Sequence, residues 1–330
     1  MAESGWFAGE CGTLGPALSA CVRAAIAAPS IHNSQPWLFR PRRTGVDVLV
    51  DRRRQLQVAD PDGREMHVSV GAAVFNLRTA MLAQGRQPLL WLLPDPHEPE
   101  LAATVMVGPA VPAPADIRAL AGAIPGRQTN RRPFWSMPIP DAVLDVVVLA
   151  AHVEGASLVV VDLATRSAVT SLARDADRRQ RSDPRYRAEL AQWTTPGPGR
   201  AEGVPAEVFG PRPELAALPL RDFDLAHTTD RRVARFEAEP TLAVLYTFGD
   251  DRQDWLRAGQ ALQRVLLTAA VHSLATTPLT QAVEVSQLRA LLDAPSERGV
   301  VQSIIRLGYA GRVPRTPRRP LADVLVHKTG

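Results

Sequence analysis

A weak internal repeat limits what this chain can fold into more than any other feature of its sequence. Gly71-Ala72-Ala73-Val74 opens an apolar helical stretch that runs to Gly85, and Gly259-Gln260-Ala261-Leu262 opens one that reaches Ser273 at the same spacing. Repetition on this scale marks a duplicated domain. One chain then does the work of a two-subunit assembly, because a two-fold interface needs two copies of one surface. In the first half, Leu14, Leu18, Cys21, Val22 and Ala25 recur at helical spacing until Pro29, which lacks an amide donor, stops the helix. A polar turn follows over residues 29–37, then a strand at 46–51, a helix at 65–84 and strands at 88–93 and 105–107. After a Pro-rich passage and a short helix the order repeats: helix 141–151, strand 157–162, charged helix 166–181, strand 241–247, helix 254–274, strand 304–309. The fold class expected is α+β, with antiparallel-type mixed sheets flanked by helices. Two related halves, 1–120 and 121–330, form an intramolecular pseudodimer.

Composition narrows the function. The formal charge is +4 with a pI near 9.6, yet Lys328 is the only lysine, so arginine carries the remaining positive charge. Such a bias reflects a GC-rich genome more often than a phosphate-tracking surface. No polybasic block interleaved with aromatics argues for nucleic acid, so none is expected as a partner. No apolar run is long enough to span a bilayer and the first residues carry no signal-peptide pattern, so a cytoplasmic protein without membrane contact is expected. Cys11 and Cys21 have no CxxC spacing and no histidine partner, which supports neither a metal site nor a disulfide framework.

Between Ser182 and Pro219 prolines and glycines accumulate, and Tyr186, Trp193 and Phe209 give this long irregular excursion apolar groups with which to cover something. Excursions of this length are usually lids, binding loops or disordered segments.

Three clusters could carry chemistry. Arg127, Gln128, Thr129, Asn130 and Arg131 bring guanidinium forks, a hydroxyl and amides together, the groups that make charge-assisted bonds to phosphate oxygens. Arg315, Arg318 and Arg319 offer more of the same near the C-terminus. Any isolated pair of such arginines equally solvates a loop. Pro29, Ser30, Asn33 and Gln35 lie where a helix ends and amide side chains can project into a cleft. The same residues commonly satisfy local backbone groups in a turn. Thr276, Thr277, Pro278 and Leu279 follow the most apolar helix and read, taken alone, as its stop. His32 is read as a structural donor rather than a base, and Glu284 lacks an identified partner for acid/base work. Neither GxGxxG, GxxxxGK[ST] nor GxSxG occurs, which removes the Rossmann, P-loop and hydrolase signatures.

Pro29-Ser30-Ile31-His32-Asn33-Ser34-Gln35-Pro36-Trp37 resembles the PSxxNxQPW segment of flavin mononucleotide (FMN)-dependent nitroreductases. Arg127-Gln128-Thr129-Asn130-Arg131 is similar to their phosphate-binding RRSxR start, and Arg318-Arg319-Pro320-Leu321 to their basic tail. Each motif occurs once, in different halves, as in the fused, Acg-type nitroreductase-like proteins. The resemblance implies a nitroreductase-like fold and one FMN per chain. The flavin would be held by Pro29, Ser30, Asn33, Gln35, residues 127–131, residues 276–279, Arg318 and Arg319. The second-half counterpart of the motif, residues 151–157, lacks the amides, so the other site of the implied dimer should be empty. NAD(P)H would donate electrons, a nitroaromatic or quinone-type small molecule would accept them, and the flavin would carry the hydride with no catalytic side chain. The alternative is a protein that sequesters FMN under the 182–219 lid with negligible turnover. A monomeric pseudodimer is the expected assembly.

Overall fold

Pro16 opens the first helix at the one position where a missing amide proton costs nothing, with Gly15 extended before it. A computed structural model describes Trp6 and residues 14–194, 200–214, 219–293 and 299–326. The first half consists of α1 (Pro16–Ile26), β1 (Trp37–Arg42), β2 (Gly45–Val50), α2 (Arg64–Ala83), β3 (Arg86–Leu92) and β4 (Leu101–Ala110), and α3 (Ala115–Ala123) follows it. Next come α4 (Asp141–Val153), β5 (Ser157–Val160), α5 (Leu163–Ser182), α6 (Pro184–Thr194), β6 (Arg212–Pro213) and β7 (Val233–Ala234). The chain continues with β8 (Thr241–Thr247), α7 (Arg252–Val271), β9 (Ala275–Pro278), α8 (Gln281–Glu284), α9 (Ser286–Asp293), β10 (Val300–Gly308) and α10 (Leu321–Val324).

The two large sheets repeat one plan. Strand order is β1-β2-β4-β3 in the first and β5-β8-β10-β9 in the second, with every pairing antiparallel. Helix α2 joins β2 to β3 as α7 joins β8 to β9, and α1 precedes β1 as α4 precedes β5. The α+β class with antiparallel sheets flanked by helices therefore holds, and the small β6–β7 pair is the parallel exception.

Helix α2 is buried over nearly its whole length, as befits a helix enclosed on all sides. Its neighbour is α7, and the contact explains the repeated glycines. A Cβ on Gly71 would lie 2.2 Å from the Leu256 carbonyl oxygen, and one on Gly259 would lie 2.0 Å from that of Val68. The helices cross with backbones touching, which only glycine permits in a close-packed interior. These glycines sit inside helices that begin at Arg64 and Arg252, so they do not open them.

Two further expectations need correcting. Residues 276–279 do not stop a helix: β9 pairs with β10 on one side and meets Thr129 on the other in a parallel bridge. The 182–219 excursion is not irregular throughout, because α6 occupies its start and a 3-10 turn, Ala206–Val208, its middle. Tyr186, Leu190, Val208 and Phe209 of this segment pack with Phe223 against Leu56 and Ala59, forming an apolar cluster of their own. Pro196, Gly197, Pro198 and Gly199 lie outside the described residues, as do Cys11 and Lys328. Cys21 is a buried free thiol. The C-terminal stretch crosses to the first half, where Val326 N donates to Phe39 O at 2.9 Å. Among the described residues no helix is long and apolar enough to cross a membrane.

Candidate functional site

Between α1 and β1 the chain makes a tight turn in which His32, Asn33 and Gln35 all take left-handed φ values of 46°, 54° and 51°. This conformation is strained for residues with side chains and is tolerated best by types such as Asn and His. Ser30 holds it by accepting from Gln35 N (2.9 Å), and Ser69 of α2 anchors it by accepting from Ile31 N (3.1 Å). The Asn33 amide donates to Gly203 O (2.8 Å) and Pro317 O (3.1 Å), and its oxygen accepts from Arg318 Nη1 (2.9 Å). Gln35 donates to Ala201 O and accepts from Arg319 N, both at 2.8 Å. The turn directs both side chains to the 201–203 and 317–319 segments, and every polar atom they carry is engaged in joining the three.

The second cluster lies across the cleft from the first. Asn130 N donates to Thr276 O (2.9 Å), Thr277 Oγ1 donates to Asn130 O (2.5 Å) and the Asn130 amide donates to Gly311 O (3.0 Å). Asn130 is thus a tie between β9 and the tail, while Gln128 accepts from Thr316 N (3.4 Å). Thr129, Arg131, Thr277, Pro278 and Leu279 face Pro29, Ser30 and His32 across a cavity of about 100 Å³, which Val68, Ala72 and Leu262 of α2 and α7 floor. Arg127, Gln128, Asn130 and Thr276 border a second cavity of about 570 Å³, with Arg312 and Arg315 at its rim. Arg319 is buried, but it bonds Gln35 O (3.4 Å) and the Asp323 carbonyl, which leaves it part of the tail.

The electrostatics single out three arginines. Arg127 is 4% exposed, and neither its Nε nor its Nη1 has a partner. Burial, reinforced by the positive charge of Arg318, pushes its pKa down to about 9. Arg318 is itself lowered to about 10 by burial and carries an unpartnered, buried Nε. Arg131, lowered to about 10 by burial and then by Arg221, stacks 4.7 Å from the centre of the Phe223 ring. None of the three forms an ion pair among the described residues. A buried cation without a counter-charge bears a desolvation penalty of several kcal/mol. Arg127, within the field of Arg318, is the group among them with the most N–H capacity left for an anion's oxygens.

Sequence reasoning passed over other groups at the cavity. Glu284, set aside for want of a partner, has Arg221 at 2.5 Å and Gln180 at 2.7 Å. Arg221 also bonds the Tyr186 hydroxyl and Thr280 Oγ1 (3.1 Å), so it is the counterpoint to Arg127, a guanidinium with both terminal nitrogens bonded and a carboxylate partner. No local spacing ties Arg221 to Glu284, and only the fold brings them together. His32 was read as a structural donor, yet both of its ring nitrogens are buried and unpartnered.

A cleft lined by residues 29–32, Thr129, Arg131 and residues 277–280, floored by the paired helices α2 and α7 and bordered by incompletely bonded arginines, is the site the fold defines. Comparison with known proteins fixes the family. The chain is 34% identical over 310 residues, 91% of its own length and 88% of the other's, to the Mycobacterium tuberculosis protein named "Putative NAD(P)H nitroreductase Rv3131". It is 31% identical over 313 residues, 93% of its length and 94% of the other's, to "Putative NAD(P)H nitroreductase acg" of the same organism. The chain belongs to the nitroreductase family that includes these proteins. No protein-family model matches it. Solved structures resemble it more loosely. The FMN-dependent nitroreductase NfnB from Mycobacterium smegmatis in complex with NADPH aligns with 62% of this chain and 96% of its own, at 18% identity and a TM-score of 0.36. The nitroreductase with bound FMN from Bacteroides fragilis aligns with 63% and 97%, at 14% identity and a TM-score of 0.36. Likeness at that level assigns nothing further.

Proposed function

We propose that the chain is an oxidoreductase that binds one FMN between its halves, 1–120 and 121–330, and uses NAD(P)H to reduce a small-molecule acceptor such as a nitroaromatic or quinone. The observation that carries the reading is the buried Arg127 guanidinium, whose Nε and Nη1 have no partner and which feels the charge of Arg318, a residue with an unpartnered Nε of its own. A flavin phosphate supplies the missing counter-charge, and its oxygens match the orphaned N–H groups. The residues present therefore fit the group. Arg127 and Arg318, with the Thr129 hydroxyl, would hold the phosphate. Pro29, Ser30, Thr277, Pro278 and Leu279 would wall the ring, with Arg131 at its end. Bound FMN supplies the hydride chemistry, and the protein orients it and excludes water. One chain carries one such site and acts as a monomeric pseudodimer.

A second reading, in which the protein shelters FMN with little turnover, draws on the way the cleft is closed. The 100 Å³ cavity is smaller than the roughly 300–1,000 Å³ of ordinary cofactor sites. Admitting a ring requires the strip around Leu220 and Phe223 to swing outward. That strip is pinned by Arg221 to Glu284 and Tyr186, and the 201–203 segment is pinned to Asn33 and Gln35, and to Arg54 by Glu202. Anaerobic addition of NADPH or NADH to the FMN-loaded protein separates the two. Bleaching of the flavin absorbance within a turnover supports the reductase, and flavin that stays oxidised sinks it in favour of sheltering.

A further inference from the structure

Almost every polar group that faces the ring cavity is already bonded to protein. Ser69 Oγ donates to Glu65 O (2.7 Å) and accepts from Ile31 N. The Glu65 carboxylate is held by Arg64, and the Arg221 guanidinium by Glu284, Tyr186 and Thr280. His32 is the exception. It lines the cavity at 6% exposure, edge-on to Phe223 with ring centres 5.5 Å apart, and neither nitrogen has a partner. A purely structural residue at this position would be better served by an apolar ring, because two desolvated nitrogens go uncompensated. The left-handed backbone at His32 adds strain of the kind that persists where function requires it.

What the position could bind follows from the bonding capacity left over. Burial above all, with Arg221 beside it, lowers the His32 pKa to about 3, so the ring is neutral and offers one N–H and one lone pair. Arg131 adds further N–H groups and a positive charge without a carboxylate. Glu65, the one acid lining the wall among the described residues, is already paired with Arg64. Donors therefore outnumber acceptors and the free charge is positive. The remaining surface, Leu220, Phe223, Leu279, Val68 and Leu262, is apolar.

We propose that the His32 end of this cavity is the binding site for the molecule that meets the cofactor, and that it takes a small carboxylic acid. The apolar body packs on Phe223 and Leu220, and the carboxylate accepts from His32 in the field of Arg131. The proposal rests on the flavin reading for what lies beside it. The same outward movement of the Leu220–Phe223 strip that admits a ring also admits the acid.

The test compares three probes that differ only in the head group: para-nitrobenzoate, para-nitrobenzamide and para-nitrobenzylamine. Binding to the FMN-loaded protein is read by perturbation of the flavin spectrum and by calorimetry, on wild type, His32→Phe and His32→Gln. The carboxylate should bind about tenfold more tightly than the amide, and the amine most weakly. His32→Phe should bring the carboxylate down to the amide, and His32→Gln, which keeps an N–H donor, should restore most of the difference. FMN affinity should be the same in all three proteins. Equal affinity for the three heads, or an unchanged carboxylate affinity in His32→Phe, overturns the proposal. So does a loss of FMN affinity in both variants, which would assign the histidine to the cofactor. A wild-type chain that holds no FMN overturns only the flavin reading, and calorimetry with the three probes on that chain still decides this one.

Discussion

Arg306 and Arg127 are both sealed from solvent, at 0% and 4% exposure, and the protein treats them in opposite ways. Arg306, on β10, meets Glu237 with Nε at 2.5 Å and Nη2 at 2.6 Å, and both of its terminal nitrogens donate to Arg132 O at 3.2 Å. Phe134 lies 3.6 Å from its guanidinium carbon and Phe236 5.4 Å. Arg127 has no carboxylate partner among the described residues, two orphaned nitrogens and the repulsive charge of Arg318 acting on it. The difference separates architecture from vacancy of charge. A buried arginine with all its bonds made is part of the frame, whereas one left bare has bonding capacity to spare, which the proposed function assigns to a flavin phosphate.

The comparison can be broken at several points. Arg306→Ala should have the largest effect, a loss of about 3–5 kcal/mol in urea unfolding, because it empties a fully buried site and leaves the largely covered Glu237 carboxylate without its guanidinium. A change below about 1 kcal/mol would remove Arg306 from the frame. Arg127→Leu should instead leave the stability of the FMN-free protein unchanged or raised, since it deletes an uncompensated charge. It should weaken FMN binding by about 1.5–3 kcal/mol, the range of a charged hydrogen bond. Unfolding of that variant in the absence of flavin would show that Arg127 has a structural partner after all. Gly259→Ala sharpens the contrast from a site without charge. The new methyl would meet the Val68 backbone, so about 1–3 kcal/mol should be lost in unfolding with FMN affinity per folded molecule retained. Tolerance of the alanine would mean that the two halves do not meet as closely as α2 and α7 do here.

Much of the frame was legible from residues alone, because periodicity and stop signals act locally. Helix α7 and strand β8 fall where their apolar patterns put them, and the repeated glycines marked the two central helices. The reason for those glycines was not legible, since a backbone contact between residues far apart in sequence leaves no local trace. The same holds for residues 276–279, whose strand character comes from pairing with β10 and Thr129 rather than from their own propensity. At the site, the arginines of the 127–131 cluster could be suspected from type and spacing. That Arg127 is orphaned while Arg221 is saturated depends on where Glu284 and Tyr186 arrive in the fold. Asn33 and Gln35 announced a polar turn, but their left-handed φ values, which aim them at residues 201–203 and 317–319, are set by tertiary contacts.

The measurement that tests the central claim most directly is the affinity of the flavin-free protein for FMN and for riboflavin, followed by quenching of flavin fluorescence. The two ligands differ only in the phosphate that Arg127 and Arg318 are proposed to hold. FMN should bind one per chain and riboflavin at least about tenfold more weakly, the cost of losing charged hydrogen bonds. Equal affinity for the two, or no binding of FMN at all, would contradict the assignment of Arg127 and Arg318 to a flavin phosphate.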